Sequence, residues 1–159
     1  LNKRKGADLL PYIMKNLGKN FVLYTTENLQ TINSTNTDNI ISIGKVDLND
    51  LVKWYNYCDI FLSPSRMEGF GLTICEAMAC GKPVISTNAT AMPELISSGK
   101  GGYLCEIDNI NDFVNKIQLL ADCSLSREQF GQYNHEKVSS LFTLDKMVEQ
   151  YISCYESLL

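Results

Sequence analysis

Residues 63–106 read SPSRMEGFGLTICEAMACGKPVISTNATAMPELISSGKGGYLCE, and the order of signals in them decides the fold. The run leading in, residues 59–64 (DIFLSP), is short, apolar and closed by turn residues, as a strand buried in a parallel sheet should be. Gly69-Phe70-Gly71 follows, and from Leu72 the residues LTICEAMAC predict a helix stopped by Gly81. Residues 83–87 (PVIST) predict the next buried strand. Pro93-Glu94 opens a short helix through Ile96 with a proline and an acid in its first turn. After a flexible turn at residues 98–102, Tyr103-Leu104-Cys105 forms the last strand. Such alternation of strand and helix predicts a parallel sheet covered on both faces.

The glycine turn carries the chemistry. Two glycines allow backbone to approach a ligand closely, and a helix start presents N–H groups with a partial positive charge. Together they make an anion site, for which phosphate is the natural ligand. Glu68 stands before the glycines and Glu76 inside the helix. Leu72 and Glu76 are four residues apart and share a helix face. A carboxylate at a phosphate pocket repels the phosphate itself, so its partner there is a sugar hydroxyl, which a nucleotide sugar offers on both ribose and hexose. Taken singly, either glutamate reads as a loop cap or a solvated helix residue.

Glu-x7-Glu enclosing GFGL, then EAMACGKPVIST, then Pro93-Glu94, then Gly101-Gly102-Tyr103-Leu104, resembles the donor-binding half of group 1 glycosyltransferases. The match runs in order from Lys5-Gly6 to the C-terminal helix. The resemblance implies a Rossmann-like three-layer α/β/α fold with a mainly parallel sheet, one half of a GT-B enzyme, over residues 1–159. It implies a retaining transferase that takes its sugar from a nucleoside-diphosphate sugar. The diphosphate would lie on the turn and helix start formed by Gly69, Phe70, Gly71, Leu72 and Thr73. Lys5 would supply a point charge, Glu76 would hold the ribose hydroxyls, and Glu68 the hydroxyls of the transferred sugar; Lys5 and Glu68 are thus the catalytic pair. An arginine that accompanies the lysine in the family falls at or before residue 1 here, and Arg4 is too close to Lys5 to take its place. The family frequently has two glycines where this chain has Thr90-Ala91, which tightens the approach to ligand. Such enzymes need no essential divalent metal or other cofactor, and no Asp-x-Asp cluster stands here to bind one.

Composition narrows the partners. The 159 residues are 45% hydrophobic, enough for a full core in one domain, and the 14 basic and 18 acidic residues leave a net charge of −4. No basic block marks a nucleic-acid or anionic-membrane partner. No apolar run is long enough to span a bilayer, and no signal peptide is visible. Six cysteines without a C-x2-C pair read as free, buried thiols in a reducing compartment, so a cytoplasmic location is expected, including the cytoplasmic face of a membrane. His135, the only histidine, has no partner at metal spacing. The chain starts with Leu and opens inside a motif, so it reads as a piece of a longer protein whose N-terminal domain binds the sugar, lipid or protein acceptor.

Taken in order, residues 7–17 predict a helix with Pro11 in its first turn or at a kink. Residues 20–26 (NFVLYTT) and 40–44 (IISIG) predict strands, separated by a polar loop at residues 27–39. A helix over Leu48–Tyr57 takes Asp47 or Asn49 as N-cap. The resemblance places the turn at residues 44–47, with Val46 and Asp47, against the donor base. Asp47 could accept the N1 and N2 protons of guanine, which uracil lacks, and that leans the donor towards a GDP-sugar; its other reading is a simple N-cap. Trp54 belongs in the core or at its edge. Three helices close the chain, over residues 110–121, 127–141 and 144–157. The apolar stripe of the last (Met147, Val148, Tyr151, Ile152, Tyr155) reads as core, partly exposed if it faces a missing domain. Two rival functions stay open: a non-catalytic nucleotide-sugar module, and a GT-B sugar-nucleotide epimerase. Glycoside hydrolysis by Glu68 and Glu76 is a weaker third.

Overall fold

A computed structural model describes residues 3–29 and 38–158. The polar loop expected over residues 27–39 lies largely outside them. After a single 3-10 turn at Lys3–Lys5, the elements run α1 (Leu10–Leu17), β1 (Leu23–Thr25), β2 (Ile40–Ser42), α2 (Leu48–Tyr57), β3 (Phe61–Ser63), α3 (Leu72–Ala79), β4 (Val84–Thr87), α4 (Met92–Leu95), β5 (Gly102–Cys105), α5 (Ile110–Ala121), α6 (Ser124–Leu141) and α7 (Leu144–Glu156). Every strand pairing is parallel: β1 with β2, and β3 with β4 and β4 with β5. The alternation read from the sequence is therefore present, with the strands shorter than expected.

One difference concerns how the strands join. Among the described residues the ladders divide into β1-β2 and β3-β4-β5 rather than one five-stranded ladder. The two are tied by side chains: Leu23 of β1 and Ile60 and Leu62 around β3 pack against the same buried cluster.

β4 is the spine. All four of its residues are buried, and successive side chains go to opposite faces. Val84 joins a cluster with Ile74 and Met78 of α3, Met92 and Leu95 of α4 and Val138 of α6. Ile85 joins another with Ile13 and Met14 of α1 and Phe113, Ile117 and Leu120 of α5. This is the three-layer α/β/α arrangement, and it leaves the carboxyl ends of β3 and β4 and the start of α3 at one edge, where open α/β sheets bind ligands.

The ends of the helices answer several sequence readings. Asp47, not Asn49, caps α2, its Oδ1 accepting the Asp50 N–H at 2.9 Å. Pro11 sits in the first turn of α1, where its missing N–H costs nothing. α6 begins at Ser124, almost a turn before the expected start, while Arg127 reaches back to the Leu120 and Ala121 carbonyls that end α5. The turn after α4 is not loose. Gly99, Lys100 and Gly101 N–H groups are bonded within it, and Asn134 of α6 donates to the Gly101 and Lys82 carbonyls.

Two expectations about burial need correction. Among the cysteines, all free, only Cys75 and Cys105 are buried, and Cys154 is exposed. No residue of α7 is buried: its apolar stripe is exposed, because among the described residues no other element packs over that face. Trp54 lies at the edge of the core, half-buried against the rings of Tyr24 and Tyr57. No helix among the described residues is long and apolar enough to cross a membrane.

Candidate functional site

Two glycines fix the geometry of the site. Gly71 is the N-cap of α3 with φ +93°, a left-handed conformation that favours glycine, and it has no side chain to cap the helix. The Ile74 and Cys75 N–H groups bond back to its carbonyl, so those of Leu72 and Thr73 have no intrahelical acceptor and sit at the positive end of the α3 dipole. Gly6, with φ +69°, lies so close to the loop after β3 that an added Cβ would stand 2.0 Å from the Pro64 carbonyl oxygen. That close approach seats the Lys3–Lys5 turn on the 63–70 loop, where the Arg66 N–H donates to the Arg4 carbonyl at 2.9 Å.

Lys5 and Glu68 consequently meet, although 63 residues separate them: Lys5 Nζ donates to Glu68 Oε1 at 2.6 Å. Ser65 Oγ donates to the same oxygen at 2.8 Å, and the Glu68 N–H donates to Thr90 Oγ1 at 3.1 Å. Burial pushes the Glu68 carboxyl up, but the Lys5 and Ser65 hydrogen bonds and the charges of Lys5 and Arg4 outweigh it and hold the group below the usual carboxylate range. Glu68 is thus an anion at neutral pH. Thr90, with φ +48°, occupies the left-handed region without being glycine. Its hydroxyl contact to Glu68 is what the expected glycine pair could not make.

Glu76 is held differently. It sits half-buried on α3, and Tyr55 of α2 donates its hydroxyl to Glu76 Oε2 at 2.9 Å. Burial, and then the neighbouring Glu76, push the Tyr55 phenol well above its ordinary ionisation range, so it stays a donor. Beneath the site a buried layer of hydroxyls ties β3 to β4: Ser86 Oγ donates to the Ser63 carbonyl at 2.8 Å, and Thr87 Oγ1 to the Ser65 carbonyl. Phe70, exposed on the turn, rests edge-on against Phe142 at 5.9 Å.

The structure thus brings together Lys5, Glu68 and the Gly69–Thr73 turn that the sequence reading singled out, with Glu76 one helical turn further along α3. The Asp47 carboxylate caps its own helix through Oδ1, and Val46 beside it is half-buried. Arg66 is also unlike what its place beside Glu68 suggests. Its guanidinium is already paired with Asp8 at 2.8 Å and Asp108 at 2.7 Å and donates to the Lys3 carbonyl, so it clamps the loop rather than facing a ligand. Among the described residues no group of three His, Cys, Asp or Glu side chains is placed to hold a metal.

Tyr55, Ser65 and Arg66 were missed by the sequence reading, and Thr90 entered it only as a departure from a glycine pair. The signal that could have found Tyr55 is a hydroxyl at an apolar-patterned position of α2, where Phe or Leu would pack as well.

The comparisons with known proteins bear on the family and the fold. An uncharacterized glycosyltransferase (MJ1178) of Methanocaldococcus jannaschii is 31% identical over 98% of this chain and 45% of its own length. The C-terminal domain of a glycosyl transferase group 1 family protein (LpcC) from Francisella tularensis is 28% identical, with a TM-score of 0.75 over 91% of this chain and 83% of that one. TarM of S. aureus, solved with UDP, Fondaparinux and alpha-GlcNAc-glycerol, is 25% identical with a TM-score of 0.83 over 94% of this chain and 32% of that one. The chain spans less than half the length of the curated relatives it matches. Residues 1–137 match the model of glycosyl transferases group 1, and the chain belongs to that family as a C-terminal, Rossmann-like GT-B domain.

Proposed function

We propose that this chain is the donor-binding half of a retaining glycosyltransferase and takes a nucleoside-diphosphate sugar. The observation that carries the reading is the meeting of Lys5 Nζ with Glu68 at the mouth of α3. Such an arrangement sets a cation, a pair of helix-start N–H groups and a hydroxyl-accepting carboxylate around one turn. The diphosphate takes the Leu72 and Thr73 N–H groups and draws Lys5 towards itself. Glu68, released in part from Lys5, accepts hydroxyls of the transferred sugar, and Glu76 those of the ribose. As the glycosidic bond loosens, Lys5 and the α3 dipole stabilise the charge developing on the departing diphosphate, without a metal ion or other cofactor.

The acceptor, a sugar, lipid or protein, binds mainly to an N-terminal domain outside this chain, so the chain by itself binds donor but does not transfer. The cytoplasm, or the cytoplasmic face of a membrane, is where such a donor is met. Asp47 keeps one carboxylate oxygen beyond its capping bond, and that oxygen supports the lean towards GDP; the UDP in the TarM structure supports uracil as its competitor.

Calorimetric titration with GDP, UDP, ADP and their sugars, without added metal, tests the reading. Saturable binding of one diphosphate is expected, weakened roughly 10- to 100-fold by Lys5→Ala and by Glu76→Ala, each of which removes a hydrogen bond involving a charged group. A folded protein that binds none of them overturns it.

A further inference from the structure

Tyr55 is the one buried residue of α2. The residue is 8% exposed, and its ring meets Phe61 of β3 edge-on at 5.6 Å, a contact that phenylalanine would make equally well. What phenylalanine could not supply is the hydroxyl, whose hydrogen bond runs to Glu76 Oε2. A buried phenol needs a polar partner, and this one uses a side chain from a different helix, 21 residues away, at the site itself.

The bond has a consequence for the carboxylate. The terminal torsion of a glutamate is broad, so an unanchored Glu76 would present its oxygens over a range of planes. A donor fixed in the core settles which oxygen is engaged and in which plane the group lies. The lone pairs that remain are then held at set directions for a ligand. A ribose offers two neighbouring hydroxyls in fixed relation, whereas a 2′-deoxyribose offers one fewer. Discrimination between them depends on how rigidly the acceptor is held, because a mobile carboxylate can turn to satisfy either.

We infer that Tyr55 is a positioning residue which, through its hydroxyl bond to Glu76, makes the site selective for ribonucleotide over 2′-deoxyribonucleotide donors. This rests on the donor-binding reading above. The test is titration of the chain and its Tyr55→Phe variant with the nucleoside diphosphate that binds best and with its 2′-deoxy counterpart, together with Glu76→Gln and the double variant. Tyr55→Phe is expected to lose roughly tenfold in affinity for the ribonucleotide and much less for the deoxynucleotide, so that the ratio between them collapses. The double variant should bind no worse than Glu76→Gln alone, since the hydroxyl acts only through that carboxylate. Thermal unfolding of each variant shows whether it is folded, and Tyr55→Trp offers an N–H donor should Tyr55→Phe fail to fold.

An unchanged ratio in Tyr55→Phe, or losses that add in full in the double variant, would overturn the inference while leaving the donor reading standing. If the wild-type chain binds no diphosphate, the donor reading falls and the inference falls with it.

Discussion

Glu68 and Glu76 stand at the two ends of one turn, and the regions around them are held by opposite means. The Glu68 end is assembled from afar and by charge: Lys5 comes from the start of the chain, Ser65 and Thr90 from loops after β3 and β4, and Arg66 clamps Asp8 and Asp108 behind them. The Glu76 end is built from neighbouring helices and by packing, with a neutral phenol anchored in the core as its donor. The difference teaches which end answers to its surroundings. A charge pair with an exposed partner is screened by salt and is lost once its carboxylate is protonated, whereas the donor at the Glu76 end is a phenol that stays neutral, so its bond involves no cation for salt to screen.

The largest expected way to break this contrast is Gly6→Ala. A Cβ there meets the Pro64 carbonyl at 2.0 Å and must adopt φ +69°. We expect a loss of about 2–4 kcal/mol in denaturant unfolding, from overpacking and backbone strain together, with Lys5 displaced from Glu68. The Tyr55–Glu76 bond should survive in whatever fraction remains folded.

A smaller effect separates the two ends by pH. The Glu68 carboxyl is held below its ordinary range, so its deprotonated form is favoured by folding. That contribution is fully present above the unfolded value and is lost as pH falls through the lowered folded one. Asp8, held down chiefly by the Arg66 hydrogen bonds, acts in the same direction. Unfolding measured between pH 5 and pH 3 should therefore show Glu68→Gln losing less stability than the wild type. The difference should be no more than about 1 kcal/mol, since Lys5 is 38% exposed and water screens the pair. An equal acid loss in both proteins would remove the claim that charge holds this end.

Thr90→Gly is the mildest probe. It relieves the left-handed strain of a non-glycine residue but removes the acceptor of the Glu68 N–H. The two nearly cancel, to within about 0.5 kcal/mol, and thermal unfolding would read the remainder. A large loss would mean that the hydroxyl, rather than Lys5, is what seats Glu68.

Much of this was legible in the sequence because it is local. The apolar run before the turn, the glycines of GFGL, the helix from Leu72 and its stop near Gly81, and the fully buried VIST strand each announce themselves within a few residues. The resemblance placed Lys5, Glu68, Gly71 and Glu76 in one site. That Asp47 rather than Asn49 caps α2 could not be read from the spacing, because either side chain can cap until Oδ1 of Asp47 is seen on the Asp50 amide. The α7 stripe misled in a different way. Spacing reports that a helix has an apolar face but not whether anything in the same chain covers it, and here nothing among the described residues does.

The sequence by itself determined the order and type of the elements, the parallel α/β class and the turn that carries the chemistry, since periodicity, glycine and proline act over short range. Only the tertiary structure decided which side chains are partners. That Lys5 holds Glu68, that Arg66 is occupied by Asp8 and Asp108, and that Tyr55 anchors Glu76 depend on approaches between segments 21 to 63 residues apart. Hydrogen bonds and ion pairs form where packing brings atoms within about 3 Å, and no spacing along the chain encodes that distance.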